Sequence, residues 1–390
     1  MNRAILTPEV QQFILENLET PPGAIALKKS PFPGVSSREL AEQIDSKARA
    51  ARKLPLWHAT PGICFPPRLS VEQSSSEATA KYKTSLIAPG RLIDLTGGFG
   101  VDSYYFSRTA DVWHLEVNAE LSEIARHNAE VLGARTITFI HADGIAYLRS
   151  TTERFDTIYV DPSRRVKTRK VFRLSDCEPD VVAELPLLFD RGSRIIVKTA
   201  PLLDISVGLE ELRHVREIHV VSLRNDCKEL LWVLEEGYEG EPLVVCAALD
   251  GETRLFRFRI SDERNLQLPS YPAPQTYIYE PNVALLKAGC FKLIAREYGI
   301  GKLHANTHLY TAGHLVPDFI GRKFRLRESW SYKAFRSARP VDRASVICRN
   351  FPESPEEVRK KLRIRDGGDT FLLFTTGPQG ELLVLHCERL

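Results

Sequence analysis

Residues 91–100 read Arg-Leu-Ile-Asp-Leu-Thr-Gly-Gly-Phe-Gly, an apolar run that breaks into a glycine loop. The residues from Arg91 to Leu95, around Asp94, predict a short buried strand. Gly97, Gly98 and Gly100 follow, and residues 101–106 can open a helix. Glycine lets a backbone approach a ligand closely and take positive φ. A helix start turns free N–H groups toward whatever is bound. The loop therefore predicts a site for an adenosine-containing ligand at the carboxyl end of this strand.

Working outward, residues 86–236 alternate strand and helix patterns. Strands are predicted at 112–117, 136–141, 157–160, 194–198, 217–223 and 229–235. Helices fall between them, notably at 119–132 and 180–188. Such alternation implies a parallel sheet covered on both faces. The last two strands are separated only by residues 224–228, too few for a helical crossover, so they are predicted to be antiparallel. The fold class is α/β, a Rossmann-like sheet with a helical region before it and small α+β modules after it.

The region before residue 86 reads as helical. Thr7-Pro8-Glu9 is a cap and first turn, with Val10, Ile14 and Leu18 on one face. Ser36 and Glu39 have capping-box spacing, and the helix over 38–53 turns Leu40 and Ile44 inward. The polar run Gln73-Ser74-Ser75-Ser76-Glu77 leads into a further helix. After the sheet, a hairpin is predicted at 243–249 and 253–260, turning at Asp250-Gly251. A linker with Pro269, Pro272 and Pro274 follows. Beyond it, helices are predicted at 281–298 and 354–362, and strands at 323–328, 344–349, 370–375 and 382–387. The domains expected are 1–85, 86–237, a hairpin and linker at 238–275, and modules at 276–320 and 321–390.

Composition narrows the class. A chain of 390 residues has room for two or three domains. With 43% hydrophobic and 26% charged residues it has the balance of an ordinary globular protein. No apolar run approaches the roughly 20 residues of a membrane span, and the first residues lack the pattern of a signal peptide. The seven cysteines form no CxxC pair, which suits a reducing, cytoplasmic setting better than a disulfide framework or zinc site. His304, His308 and His314 have no spacing that suits a metal, so no metal is expected.

Chemistry gathers at the predicted strand ends. The second strand delivers Glu116, whose carboxylate can accept both hydroxyls of a ribose. The third ends in His141-Ala142-Asp143-Gly144, where Asp143 can accept from an adenine amine or cap the next helix. An open α/β sheet binds its ligand along that carboxyl edge. Asp94-Leu-Thr-Gly-Gly-Phe-Gly100 resembles the acid-x-Gly-x-Gly-x-Gly signature of S-adenosylmethionine-dependent methyltransferases. Gly98 and Gly100 match it, and Thr96 stands where the first glycine is usual. The fourth strand runs into Asp161-Pro162-Ser163-Arg164-Arg165. This resembles the Asp/Asn-Pro-Pro-aromatic motif of methyltransferases that act on exocyclic amines of bases. In that motif the side-chain oxygen and a backbone carbonyl accept hydrogen bonds from the target amine. Ser163 and Arg164 replace its third and fourth residues, so the aromatic is missing.

Basic residues follow. Arg164, Arg165, Lys167, Arg169, Lys170 and Arg173 come within ten residues without an acid, beside the expected active edge. Between Arg322 and Arg365 there are fourteen Lys and Arg against five Asp and Glu. Arg322, Lys323, Arg325 and Arg327 partly alternate with Phe324 and Leu326, which predicts one basic strand face. Arg164, Arg165, Lys323 and Arg325 are the expected contacts to a nucleic-acid substrate.

Taken together, the chain resembles a family of bacterial class I methyltransferases with C-terminal ferredoxin-like and THUMP-like domains. Its further marks are Gln73–Glu77, Tyr279-Glu-Pro-Asn282, Asn306-Thr-His-Leu-Tyr310 and the stretch from Lys361 to Phe371. The resemblance implies S-adenosylmethionine as cofactor and RNA as partner. It implies Gly98 and Gly100 at the methionine part, Glu116 at the ribose and Asp143 at the adenine. It also implies that Asp94 orients the loop or the cofactor's amino group, and that Gln73, Ser75 and Glu77 close the pocket. Asp161, Pro162 and Ser163 would grip the acceptor. Other readings stay open on sequence alone: a nicotinamide-dependent oxidoreductase, a non-catalytic RNA-binding protein that keeps a cofactor pocket, or a methyltransferase for a protein or small molecule.

Overall fold

A computed structural model describes residues 1–164 and 173–390. The chain divides into two compact units, Met1–Glu217 with Leu230–Gly240, and Ile218–Glu229 with Glu241–Leu390. The basic run loses Arg165, Lys167, Arg169 and Lys170 from view, since they lie outside the described residues. Of Arg164 only the backbone is described.

The first unit is built on strands β1 (Gly90–Asp94), β2 (Ala110–Glu116), β3 (Ile137–His141), β4 (Phe155–Val160) and β5 (Gly192–Thr199), with the start of β6 (Val215–Leu223) and the end of β7 (Asp226–Glu235). Their order is β6-β7-β5-β4-β1-β2-β3. The strands from β1 to β5 pair in parallel, and β7 runs antiparallel to β5. The connection is only Arg224-Asn225, both at positive φ, and it produces the reversal expected between these strands. Parallel pairing brings the carboxyl ends of β1 to β4 to one edge. Along it Asp94 pairs in register with His114 and Tyr159, and Glu116 with His141.

Helices α1 (Ser37–Lys53) and α2 (Glu77–Thr84) precede the sheet, and α3 (Val101–Phe106), α4 (Ala119–Val131) and α5 (Gly144–Ser150) follow β1, β2 and β3. Ser36 caps α1 in a capping box with Glu39, and Ser76 caps α2, each cap contributing about 1 kcal/mol. Leu40 and Ile44 are buried as their spacing requires. The helical region packs directly on the loop that follows β1. Trp57 and Phe65 share one core with Phe99, Tyr104 and Tyr105, and Trp57 meets Tyr104 edge-to-face at 4.9 Å. Burying each such aromatic side chain contributes roughly 1.5–3 kcal/mol, so the loop's outgoing helix is fixed from above.

In the second unit β8 (Leu243–Ala248) and β9 (Arg254–Arg259) form the predicted hairpin, in the order β9-β8-β6. A separate seven-stranded sheet has the order β11-β12-β10-β13-β16-β15-β14. Its strands are β10 (Tyr277–Pro281), β11 (Gly301–Lys302), β12 (Tyr310–Ala312), β13 (Gly321–Ser331), β14 (Ser345–Arg349), β15 (Thr370–Thr376) and β16 (Leu382–Arg389). The structure corrects the helix expected at 281–298. Pro281 ends a strand, and two helices follow, α6 (Val283–Ala288) and α7 (Phe291–Tyr298). Gly289, at φ +76°, closes the first of them, a left-handed position that stops a helix. Among the described residues no helix is long and apolar enough to cross a membrane.

Candidate active site

The glycine loop is tied to both neighbouring strands. Leu95 N–H donates to the Tyr159 carbonyl at 3.0 Å, and Gly97 N–H to the Leu115 carbonyl at 2.7 Å. Gly98 and Gly100 take φ of +55° and +80°, as the turn requires. Gly97 is confined for another reason. A Cβ there would lie 2.1 Å from Cε1 of His114, whose ring fills the space beneath the loop.

Asp94 is 1% exposed. Its Oδ1 accepts from Thr96 N–H at 3.1 Å and its Oδ2 from Ser103 Oγ at 2.6 Å. Ser103 Oγ in turn lies 3.0 Å from Nδ1 of His114. Burial pushes the Asp94 carboxyl up to about 7, against the opposing hydrogen bond from Ser103. Burial also lowers His114 to about 3, so the ring is neutral. Of the two roles expected for Asp94, its contacts are those of a residue that shapes the loop.

Glu116 is part-exposed, and its carboxylate is aimed by two amides. Gly98 N–H donates to Oε2 at 2.9 Å and Asn118 N–H to Oε1 at 2.7 Å. Val117 beside it is 70% exposed, an apolar surface at the strand end that the sequence reading passed over. Asp143 does what its position before a helix allows: Oδ1 accepts from Ala146 N–H at 2.8 Å and caps α5. The start of α5 lies against the loop, since a Cβ on Gly144 would come 2.4 Å from the Leu95 carbonyl oxygen. Asp94, Thr96, Gly98, Glu116 and Asp143 thus meet at one edge of the sheet.

The turn after β4 joins them. Asp161 N–H donates to Oγ1 of Thr96 at 2.7 Å. Its Oδ2 accepts from Nζ of Lys198, a residue the sequence reading did not single out. Pro162 is buried and Ser163 exposed. Ser163 Oγ donates to the Glu178 carbonyl at 3.4 Å, and residues 163–164 pair with 177–178.

A buried polar cluster supports this edge. Asp102 on α3 accepts at Oδ2 from Ser75 Oγ at 2.7 Å and from the Tyr159 hydroxyl at 2.9 Å. Lys83 Nζ lies 3.2 Å from its Oδ1 and donates to Ser75 Oγ at 2.9 Å. Burial works to raise the Asp102 carboxyl. The ammoniums of Lys83 and Lys198 and the two hydroxyl donors outweigh burial and hold it below its ordinary range. Ser75 and Glu77, expected to close the pocket, are spent on internal bonds. Ser75 holds Asp102, and Glu77 accepts from the Tyr105 hydroxyl at 3.0 Å and from Leu56 N–H. Gln73 is exposed.

The second unit carries the other expected contacts. Phe324 is buried between Lys323 and Arg325, so the alternation on β13 is real. The basic face is shorter than the sequence suggested. Lys323 Nζ donates to the Pro317 carbonyl at 2.5 Å. Arg322 is drawn to buried Glu280 at 2.5 Å, which Arg349 also approaches at 2.7 Å. A bulge between Leu326 and Glu328 breaks the alternation, and Arg327 pairs with Glu388, the residue opposite Arg325. His308 stacks on Phe291 with ring centroids 3.7 Å apart. Among the described residues no group of three or more His, Cys, Asp or Glu is arranged to hold a metal ion.

Comparison with known proteins places this geometry. Family models match residues 277–319 as a ferredoxin-like domain and residues 321–389 as THUMP domain-like. A crystal structure of a "putative methyltransferase" from Porphyromonas gingivalis W83 is 34% identical and superposes with a TM-score of 0.88, covering 99% of this chain and 98% of its own. An uncharacterized S-adenosylmethionine-dependent methyltransferase of Mycobacterium tuberculosis, in strains CDC 1551 and H37Rv, is 27% identical over 331 residues, 80% of this chain and 85% of its own.

The chain belongs to the S-adenosylmethionine-dependent methyltransferases with C-terminal ferredoxin-like and THUMP-like domains. Its cofactor is S-adenosylmethionine. The residues present at the sheet edge of this methyltransferase suit that group. A sulfonium cation favours an edge rich in carboxylates, and the glycine loop leaves open space at Gly98, where a Cβ would meet nothing closer than 3.8 Å. A shorter relative stretch comes from an uncharacterized RNA methyltransferase of Mycoplasma mobile, 37% identical over 75 residues, 19% of this chain and 21% of its own.

Proposed function

We propose that this methyltransferase acts on RNA, transferring a methyl group to an exocyclic amine of a base. The observation that carries the reading is the hydrogen bond between Asp161 N–H and Thr96 Oγ1. It puts the turn that resembles an amine-gripping motif directly against the loop that resembles a cofactor signature. The THUMP-like match and the named RNA methyltransferase among the relatives support RNA as the substrate class.

The roles follow from chemistry at each atom. Gly98 and Gly100 give the methionine part close access to the backbone. Glu116, aimed by two amides, accepts from the ribose hydroxyls. Asp143 has Oδ2 left for an adenine amine once Oδ1 has capped α5, and Val117 offers an apolar face beside it. Asp94 and Thr96 hold the loop in shape. The bound cofactor supplies an activated methyl group on a good leaving group. The protein's part is then positioning and electrostatics. Asp161 accepts from the target amine and directs its lone pair, while Pro162 fixes the turn. Ser163 and Arg164 complete the acceptor site, and Arg165, Lys323 and Arg325 contact phosphate.

Nucleoside mass spectrometry tests this. Total RNA from a deletion strain should lack one methylated nucleoside present in wild type. The intact gene should restore it, and the D161A variant should not. An unchanged nucleoside profile in the deletion strain would refute RNA as substrate.

A further inference from the structure

We propose that Thr96 and Lys198 are positioning residues that fix Asp161 at two points and leave its Oδ1 for the acceptor. This rests on the reading of the 161–162 turn as the acceptor site. The departure at residue 96 from the glycine signature is the starting point. A glycine has no side-chain oxygen. Here the hydroxyl accepts the Asp161 amide at 2.7 Å, while Thr96's own N–H is held by Asp94 at 3.1 Å. A branched side chain on an anchored backbone has few rotamers to choose from. The substitution therefore converts a free loop residue into a link between the cofactor loop and the acceptor turn.

Lys198 supplies the second point. It stands near the end of β5, and β5 pairs in parallel with β4, so the two strand ends are adjacent. Its Nζ donates to Oδ2 of Asp161. Asp161 side-chain rotation is then stopped at one oxygen, its backbone is held at the amide, and the following Pro162 is buried. Oδ1 accepts no hydrogen bond from a described residue. The lysine also acts on the cluster beneath, where its charge helps keep Asp102 ionised. A misplacement of about 1 Å in a reacting group can cost on the order of a hundredfold in rate, so two anchors of this kind act on turnover more than on binding.

The test uses the full-length protein with T96V, T96S, K198M and K198R. Hydrogen exchange of peptides spanning residues 155–162 is followed with and without S-adenosylhomocysteine. Wild type and T96S should slow exchange there when the product cofactor binds. T96V should lose that response, and K198M should lose part of it, with recovery in K198R. In single-turnover methyl transfer to RNA from the deletion strain, the rate constant should fall by about a hundredfold in T96V and K198M. In K198M, S-adenosylhomocysteine affinity by calorimetry should stay near wild type. T96S and K198R should recover most of the rate. A full exchange response in T96V and K198M overturns the link, as does an unaltered transfer rate. If wild type moves no methyl group to that RNA, the RNA reading fails, and the exchange data still decide the positioning roles.

Discussion

The sheet edge of the first unit and strand β13 of the second hold their charges in opposite ways. At the edge, Asp94 and Glu116 are occupied by backbone amides or a hydroxyl, Asp102 by hydroxyls and an ammonium, and Asp161 by the Lys198 ammonium. On β13, Arg325 is exposed, and Arg327 meets Glu388 at a half-exposed pair. A buried pair such as Lys83–Asp102 fixes geometry and is costly to break. Exposed charges fix little geometry, and salt screens them. One region holds its charges in place and the other leaves them exposed to solvent.

Substitutions can break that contrast, beginning where the effect is greatest. K83M removes one partner of the buried Lys83–Asp102 pair and should cost about 3–5 kcal/mol in urea unfolding. A loss well under 1 kcal/mol would put the edge in the same class as the surface strand. D161A should lower methyl transfer by two to three orders of magnitude, about 2.7–4 kcal/mol, with cofactor affinity kept. Near-normal transfer would remove Asp161 from the chemistry. G97A drives a Cβ into His114 and should cost about 1–3 kcal/mol of stability. The double variant G97A/H114A should recover part of it, and the absence of any recovery would show that His114 does not set the loop's height.

A finer probe uses pH. The Asp94 carboxyl is raised to about 7 in the folded chain, against about 3.9 when exposed. The folded state therefore binds this proton more tightly. The resulting stabilisation is complete below about pH 4 and is lost as pH rises to about 7. Compared with D94N, wild type should lose stability across that window by up to about 1.4 kcal/mol per pH unit. Equal slopes in urea titrations at several pH values would contradict the buried state of Asp94. The smallest change is expected on the other side of the comparison. K323E and R325E should leave folding intact, weaken RNA binding, and each reduce the salt slope of log K by about 1. Salt-independent losses would mean that β13 takes part by shape rather than charge.

Much of this architecture was readable beforehand because its signals are local. Asp94, Glu116, Asp143 and Asp161 each follow an apolar run, and strand periodicity places them at carboxyl ends before any contact is known. The antiparallel β7 followed from a connection too short for a crossover. The partners were less visible. Lys198 looks like one more residue in a strand, and only the adjacency of β4 and β5 brings it to Asp161. Lys83 and Asp102 sit nineteen positions apart on helices that meet through tertiary packing. The departure at Thr96 is plain in the sequence, but its hydroxyl gains a role only through the Asp161 amide opposite it. On β13 the alternating pattern was correct, yet the bulge and the acid on β16 answer charges that composition alone counts as free. The helix expected through Gly289 failed because an apolar pattern can continue across a residue whose backbone turns the chain aside.

Strand β10 lies between β12 and β13, so residues 277–319 and 321–389 are sewn along one shared seam. A cut at residue 320 would strip β10 of a whole neighbour and bare a row of amides and carbonyls, the kind of edge on which chains aggregate. The two segments, matched by separate family models, share one sheet.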